Sequence, residues 1–129
     1  MARIIAAALG LFLGINAVVM LTASVWWYGA VPGVTATGSY NPHFIHDIGM
    51  AYLVAAGGLG WFAWRPAEGW AALVAAAGFL VLHGLIHVHD AIASPTCGHD
   101  LLRDAPSVFT PALIAAWIAW AAYPNPRRT

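Results

Sequence analysis

The sequence predicts an all-α integral membrane protein, a four-helix up-down bundle forming a single domain over residues 1–129. Three observations carry that expectation. Of the 129 residues, 61% are hydrophobic and only 8% are charged, and lysine is absent. Mean hydropathy is +0.74, whereas a soluble domain is about a quarter charged. Too little polar surface remains to coat a water-soluble globule. Second, the apolar residues fall into four runs (about 4–28, 43–64, 69–93 and 106–123), each near the ~20 residues that cross a ~30 Å hydrocarbon core. Third, most of the prolines, Pro32, Pro42, Pro66 and Pro95 among them, fall outside the runs rather than within them. Other classes drop out. Five arginines against five acids leave no basic stripe for nucleic acid. Cys97 is the only cysteine, so no disulfide scaffold is available.

The first run begins behind Arg3 and is interrupted only by small residues and by Asn16, Thr22 and Ser24. A signal peptide would share the early arginine, but its apolar region is usually ~7–15 residues, and this run is much longer. Asn16 is expected to hydrogen-bond between helices. Pro32, Gly33, Gly38 and the Tyr40-Asn41-Pro42 step break the chain into a loop. The second run follows. The short link Arg65 to Glu68 makes the second and third helices antiparallel neighbours. The third run ends at the breakers Ser94 to Gly98. A polar stretch from His99 to Asp104 comes next, in which Asp100 is suited to cap a short helical turn. Pro106 suits the first turn of the fourth run, and Pro111, one turn further in, is placed to kink it. Alanine and glycine throughout the runs allow close helix approach in lipid.

Arginine placement predicts orientation. Arg3, Arg65, Arg127 and Arg128 all fall on one side of an up-down bundle, and only Arg103 falls on the other. The positive-inside tendency therefore puts both termini in the cytoplasm. The expected location is the cell (inner) membrane, with the opposite end facing the periplasm or exterior. Trp26, Trp27 and Tyr28 fit an outer aromatic belt, and Trp61, Trp64, Trp70, Trp117, Trp120 and Tyr123 an inner one.

The chemistry-bearing residues collect at the outer end. Antiparallel threading brings the start of the second run (His43, His46, Asp47), the end of the third (His83, His87, His89, Asp90) and the loop into the fourth (His99, Asp100, Asp104) to one face. All six histidines and four of the five acids are in that set. At 100° per residue, His83, His87 and Asp90 share one stripe and His89 points away from it. His43 and Asp47 are adjacent on the second helix, with His46 on the flank. Ionisable groups at membrane depth cost at least ~2.5 kcal/mol each unless paired, and by default they suggest function. The plainer alternative is that His43, His46, His89 and His99 are interfacial residues, and that Asp100, Arg103 and Asp104 form a solvated loop.

A transition-metal site is the leading expectation, with His43, Asp47, His83, His87 and Asp90 as the core ligands and His46, His99 and Asp104 as further candidates. Mixed imidazole and carboxylate suits zinc, iron or copper(II), mono- or dinuclear. An open site of this kind activates water or oxygen against a lipid-soluble substrate, which points to a metal-dependent oxidoreductase or a subunit of one. The arrangement resembles, in architecture alone, the Asp/His copper sites in the membrane helices of particulate methane monooxygenases. In span number and length it also resembles the DoxX-like membrane families. Haem b is the second expectation, held between His43 or His46 and His83 or His87 for electron transfer. A third is a non-catalytic accessory subunit, whose partners would be the lipid bilayer and other membrane subunits or further copies of itself.

Overall fold

A computed structural model describes residues 1–93 and 100–124 of the chain. Among these every regular element is helical, and no strand occurs. The α-helices are α1 (Ala2–Thr22), α2 (Ser24–Ala30), α3 (Pro42–Trp64), α4 (Pro66–Ala93), α5 (Leu101–Asp104) and α6 (Thr110–Ala121). A 3₁₀ turn, Val34–Ala36, lies between α2 and α3, and a π-helical stretch, Ala105–Phe109, joins α5 to α6. Cys97, His99, Arg127 and Arg128 lie outside the described residues.

Local chemistry sets the boundaries, and several differ from the sequence expectation. The first apolar run is not one helix. It breaks at Ala23, whose backbone (φ −139°, ψ 44°) leaves the helical region. Thr22 folds its hydroxyl back onto the carbonyl of Val18 at 2.7 Å, a bond that bends helices. The break returns Trp27 to α1, where its indole N–H donates to Asn16 Oδ1 at 2.9 Å. The Asn16 bond thus closes within the first run rather than onto another of the four runs.

The link between the second and third runs is shorter than expected. Arg65 alone separates α3 from α4, because Pro66 opens α4 in a first turn where its missing N–H has no intrahelical partner to lose. Glu68 sits in the same turn, the favourable end of the helix dipole for an acid. The polar stretch before the fourth run is helical from Leu101. Asp100 caps it, accepting from the backbone N–H of Leu102 at 2.9 Å and of Arg103 at 3.2 Å. Pro106 and Pro111 therefore lie inside a continuous helical segment. The wider π turn accommodates them, and Thr110 donates its hydroxyl to the carbonyl of Ala105 at 2.9 Å.

Helix α1 packs on α3, α3 on α4 and α4 on α6, and α6 also touches α1. Leu13, Met20, Leu59, Leu73 and Ile118 are the large residues sealed at the centre, with alanines such as Ala17, Ala55 and Ala115 between them. One end is closed by Arg3, which donates to the carbonyl of Ala63 at 2.8 Å, and by Trp70, which donates to the carbonyl of Ala119 at 3.0 Å. The outward faces are apolar as well: Ile4, Leu11 and Ile15 on α1, Val54 on α3, Leu82 and Ile86 on α4, and Leu113 and Trp120 on α6 are all exposed. Among the described residues, α1 and α4 are long and apolar enough to cross a membrane.

The α3–α4 contact depends on Gly58, where an added Cβ would lie 2.7 Å from the carbonyl oxygen of Ala72. Gly58→Val should therefore force the two helices apart and cost about 1–3 kcal/mol. Gly60→Ala, with nothing within 4 Å of the new carbon, should leave stability unchanged or raise it slightly. Thermal unfolding of both variants in one detergent checks the pair.

Candidate functional site

Opposite the end closed by Arg3, the helices diverge around a cavity of about 630 Å³. Its walls come from α1, α2, α3 and α4, from the loop after α2, and from the α5–π segment. Most of the lining is apolar, with Phe12, Ile45, Ile48 and Val108 prominent. The charged and imidazole side chains that line it, His83, His87, Asp90, Arg103 and Asp104, come from α4 and α5. Volume and composition fall in the range of small-molecule sites, which are mostly apolar with a few placed polar groups.

The network begins at Asp104, which is 6% exposed and is the buried charged residue among those described. Its Oδ2 lies 2.8 Å from His87 Nδ1 and its Oδ1 3.1 Å from Arg103 Nε. Arg103 is always charged and can only donate. A carboxylate beside it accepts, so His87 donates through Nδ1, and the contact fixes both the tilt and the tautomer of the ring. One turn down α4, His83 stands edge-on to His87 with ring centroids 4.9 Å apart. His83 is stacked on Phe79 at 5.9 Å and meets Tyr52 of α3 edge-on at 5.7 Å. Arg103 also reaches the loop after α2. Gly33 has φ +88°, and a Cβ there would overlap the guanidinium. Glycine is required at that position both for the left-handed backbone and for the contact.

The structure divides the residues singled out from the sequence. His83, His87, Asp90 and Asp104 all line this cavity. His43 and Asp47 do not join them. They face each other at 3.4 Å on the outside of α3, with side chains 88% and 64% exposed. The cause is register: at 100° per residue, His43 and Asp47 share the face of exposed Met50 and Val54, opposite Ile45, Ile48 and Tyr52. His46 is half-buried on the flank and does not line the cavity. His89 points away from the stripe, as its spacing predicts, and pairs with Asp90 at 3.0 Å. His99 lies outside the described residues. The five-donor core thus separates into two groups on opposite faces of α3, and no histidine of α3 shares the cavity with His83 and His87 as a haem pair would require. Among the described residues, no three His, Cys, Asp or Glu side chains converge as a ligand set.

Tyr52 and Arg103 were not among the sequence candidates. Both are part of the site. Tyr52 lies three and four residues from Gly49 and Ile48 on the inner stripe of α3, but with apolar residues on every face that stripe is not distinguishable by hydropathy. No known protein family matches the chain, and neither a curated protein nor a solved structure is detectably similar to it.

Removing the carboxylate tests the network. Asp104→Leu removes the carboxylate that accepts from both Arg103 and His87, and should destabilise the fold by about 3 kcal/mol. Asp104→Asn keeps one acceptor oxygen and should lose clearly less. The comparison is a thermal melt of the two variants beside the wild type, and equal losses would show that the carboxylate does not organise this end.

Proposed function

We propose that the chain is an integral membrane four-helix up-down bundle with both termini cytoplasmic, and that its outer end binds a small lipid-soluble molecule. Apolar side chains on the outward faces of all four long helical segments support the membrane placement, since such faces are suited to lipid tails and not to water. Arg3 and Arg65 lie together at the end opposite the cavity, and the sequence continues from α6 toward Arg127 and Arg128. That asymmetry favours a cytoplasmic location for the closed end. Helix α4, at 28 residues, is about 42 Å long. It outreaches a ~30 Å hydrocarbon layer, which leaves its last turns, with His87, His89 and Asp90, at the outer boundary.

The observation that carries the functional reading is the cavity itself. A largely apolar chamber opens at the end of the helices, and its ionisable groups gather on the α4 and α5 side around the His87–Asp104 pair. Such a chamber takes an apolar body and presents hydrogen-bonding groups to its head. A histidine oriented by a carboxylate is the usual device for moving a proton at such a head.

A transition metal on His83 and His87 is a second reading, and one observation favours it. A carboxylate on the far ring nitrogen, as Asp104 is on His87, is how metal-ligating imidazoles are commonly oriented. Asp90 lines the same cavity. Zinc, iron or copper(II) would suit these donors.

Both readings meet in one experiment on protein purified in mild detergent without added metal. The lipid-soluble reading predicts about one equivalent of a small apolar molecule on solvent extraction, lost in the cavity-filling variant Ile48→Trp. Wild type and variant carrying the same extractable molecules would contradict it. One or two equivalents of metal, lost in both His83→Ala and His87→Ala, would instead establish the metal site.

A further inference from the structure

Tyr52 is 8% exposed and lines the cavity, yet among the described residues its hydroxyl has no hydrogen-bond partner. The same holds for both ring nitrogens of His83. Its contacts are the ring contacts with Tyr52, Phe79 and His87. The neighbouring helix carbonyls offer no ready substitute, because they are already engaged within α3 and α4. A buried hydroxyl without a partner is costly, and native proteins rarely leave one so. Phe79 sets both groups in place: it is edge-on to Tyr52 at 5.4 Å and stacked on His83 at 5.9 Å.

We infer that the Tyr52 hydroxyl and the His83 imidazole are a two-point receptor for a single uncharged oxygen, so that the cavity's ligand is an apolar molecule with a carbonyl or hydroxyl head. The inference rests on the lipid-soluble reading above and names the chemistry of its ligand. The Tyr52 hydroxyl donates to a carbonyl or hydroxyl oxygen, and an imidazole nitrogen of His83 completes the contact from the α4 side. A carboxylate head is disfavoured because Asp90 and Asp104 line the same space and the Arg103 guanidinium there is already engaged by Asp104. An ammonium head cannot accept the tyrosine proton. The surrounding Ile45, Ile48 and Phe12 take the apolar body.

The test uses three probes of equal chain length, 2-undecanone, 1-undecanol and undecane, titrated into the protein in lipid nanodiscs of fixed composition. Tryptophan fluorescence is the readout, since Trp27 lines the cavity. The ketone and the alcohol should bind about tenfold more tightly than undecane, a ratio typical of one well-made hydrogen bond. Tyr52→Phe, which keeps the ring and its packing, should remove most of that advantage while leaving undecane affinity unchanged. His83→Phe, a ring of similar shape, should weaken the two oxygen-bearing probes in the same way. Equal binding of all three probes, or a Tyr52→Phe variant that still prefers the oxygen-bearing ones, overturns the inference while the cavity reading stands. Failure of every probe, undecane included, overturns both.

Discussion

A carboxylate that must be buried in an apolar chain sets the form of the cavity end. Asp104 is almost wholly buried at the cavity wall, and a lone charge there would be costly. It is tolerated because α4 supplies His87 on one oxygen and the adjacent turn supplies Arg103 on the other. Arg103 then lies against Gly33, which ties in the loop after α2. One group thereby holds three segments that are far apart in sequence. Remove it, and the polar wall of the cavity loses the contact that orients His87 and holds the loop in place.

The rest of the architecture follows from how few polar groups the chain has. With 8% of residues charged, most of the length can only be apolar helix. The polar residues that do occur are sorted to the two ends. The end holding Arg3, Arg65 and Trp70 is closed by hydrogen bonds onto the last carbonyls of α3 and α6. The other end stays open because α1 gives way to α2 at Ala23, and because the π turn widens the approach to α6. Those two irregularities make room for the chamber. Prolines and a back-bonded threonine are their causes, and each is a local feature of the sequence.

Much of the fold was legible from residues. Helical runs, the tight turn at Arg65 and the Asp100 cap all follow from local rules that burial does not alter. The stripe of His83, His87 and Asp90 was legible too, because three residues on one helix need only its periodicity. What could not be read was which face of α3 looks inward. In a soluble helix the apolar face answers that question, but α3 is apolar on both faces. His43 and Asp47 therefore read as inward-facing, whereas they lie on the exposed face and Tyr52 on the buried one. Arg103 was passed over for a related reason. Its role depends on the unusual backbone of Gly33, seventy residues earlier in the chain, and on the helical turn that Asp100 starts.

The account stands or falls on the polar end being the outer face of a membrane bundle, and side-specific labelling tests that most directly. In a Cys97→Ser background, single cysteines would replace Thr35, exposed in the loop by the cavity, and Glu68, exposed at the closed end. A membrane-impermeant maleimide should label the Thr35→Cys protein in intact cells and reach the Glu68→Cys protein only after the membrane is permeabilised. Labelling of the Glu68→Cys protein from outside intact cells would contradict the orientation, and protection of both proteins until the membrane is permeabilised would contradict the placement of the cavity end at the outer face.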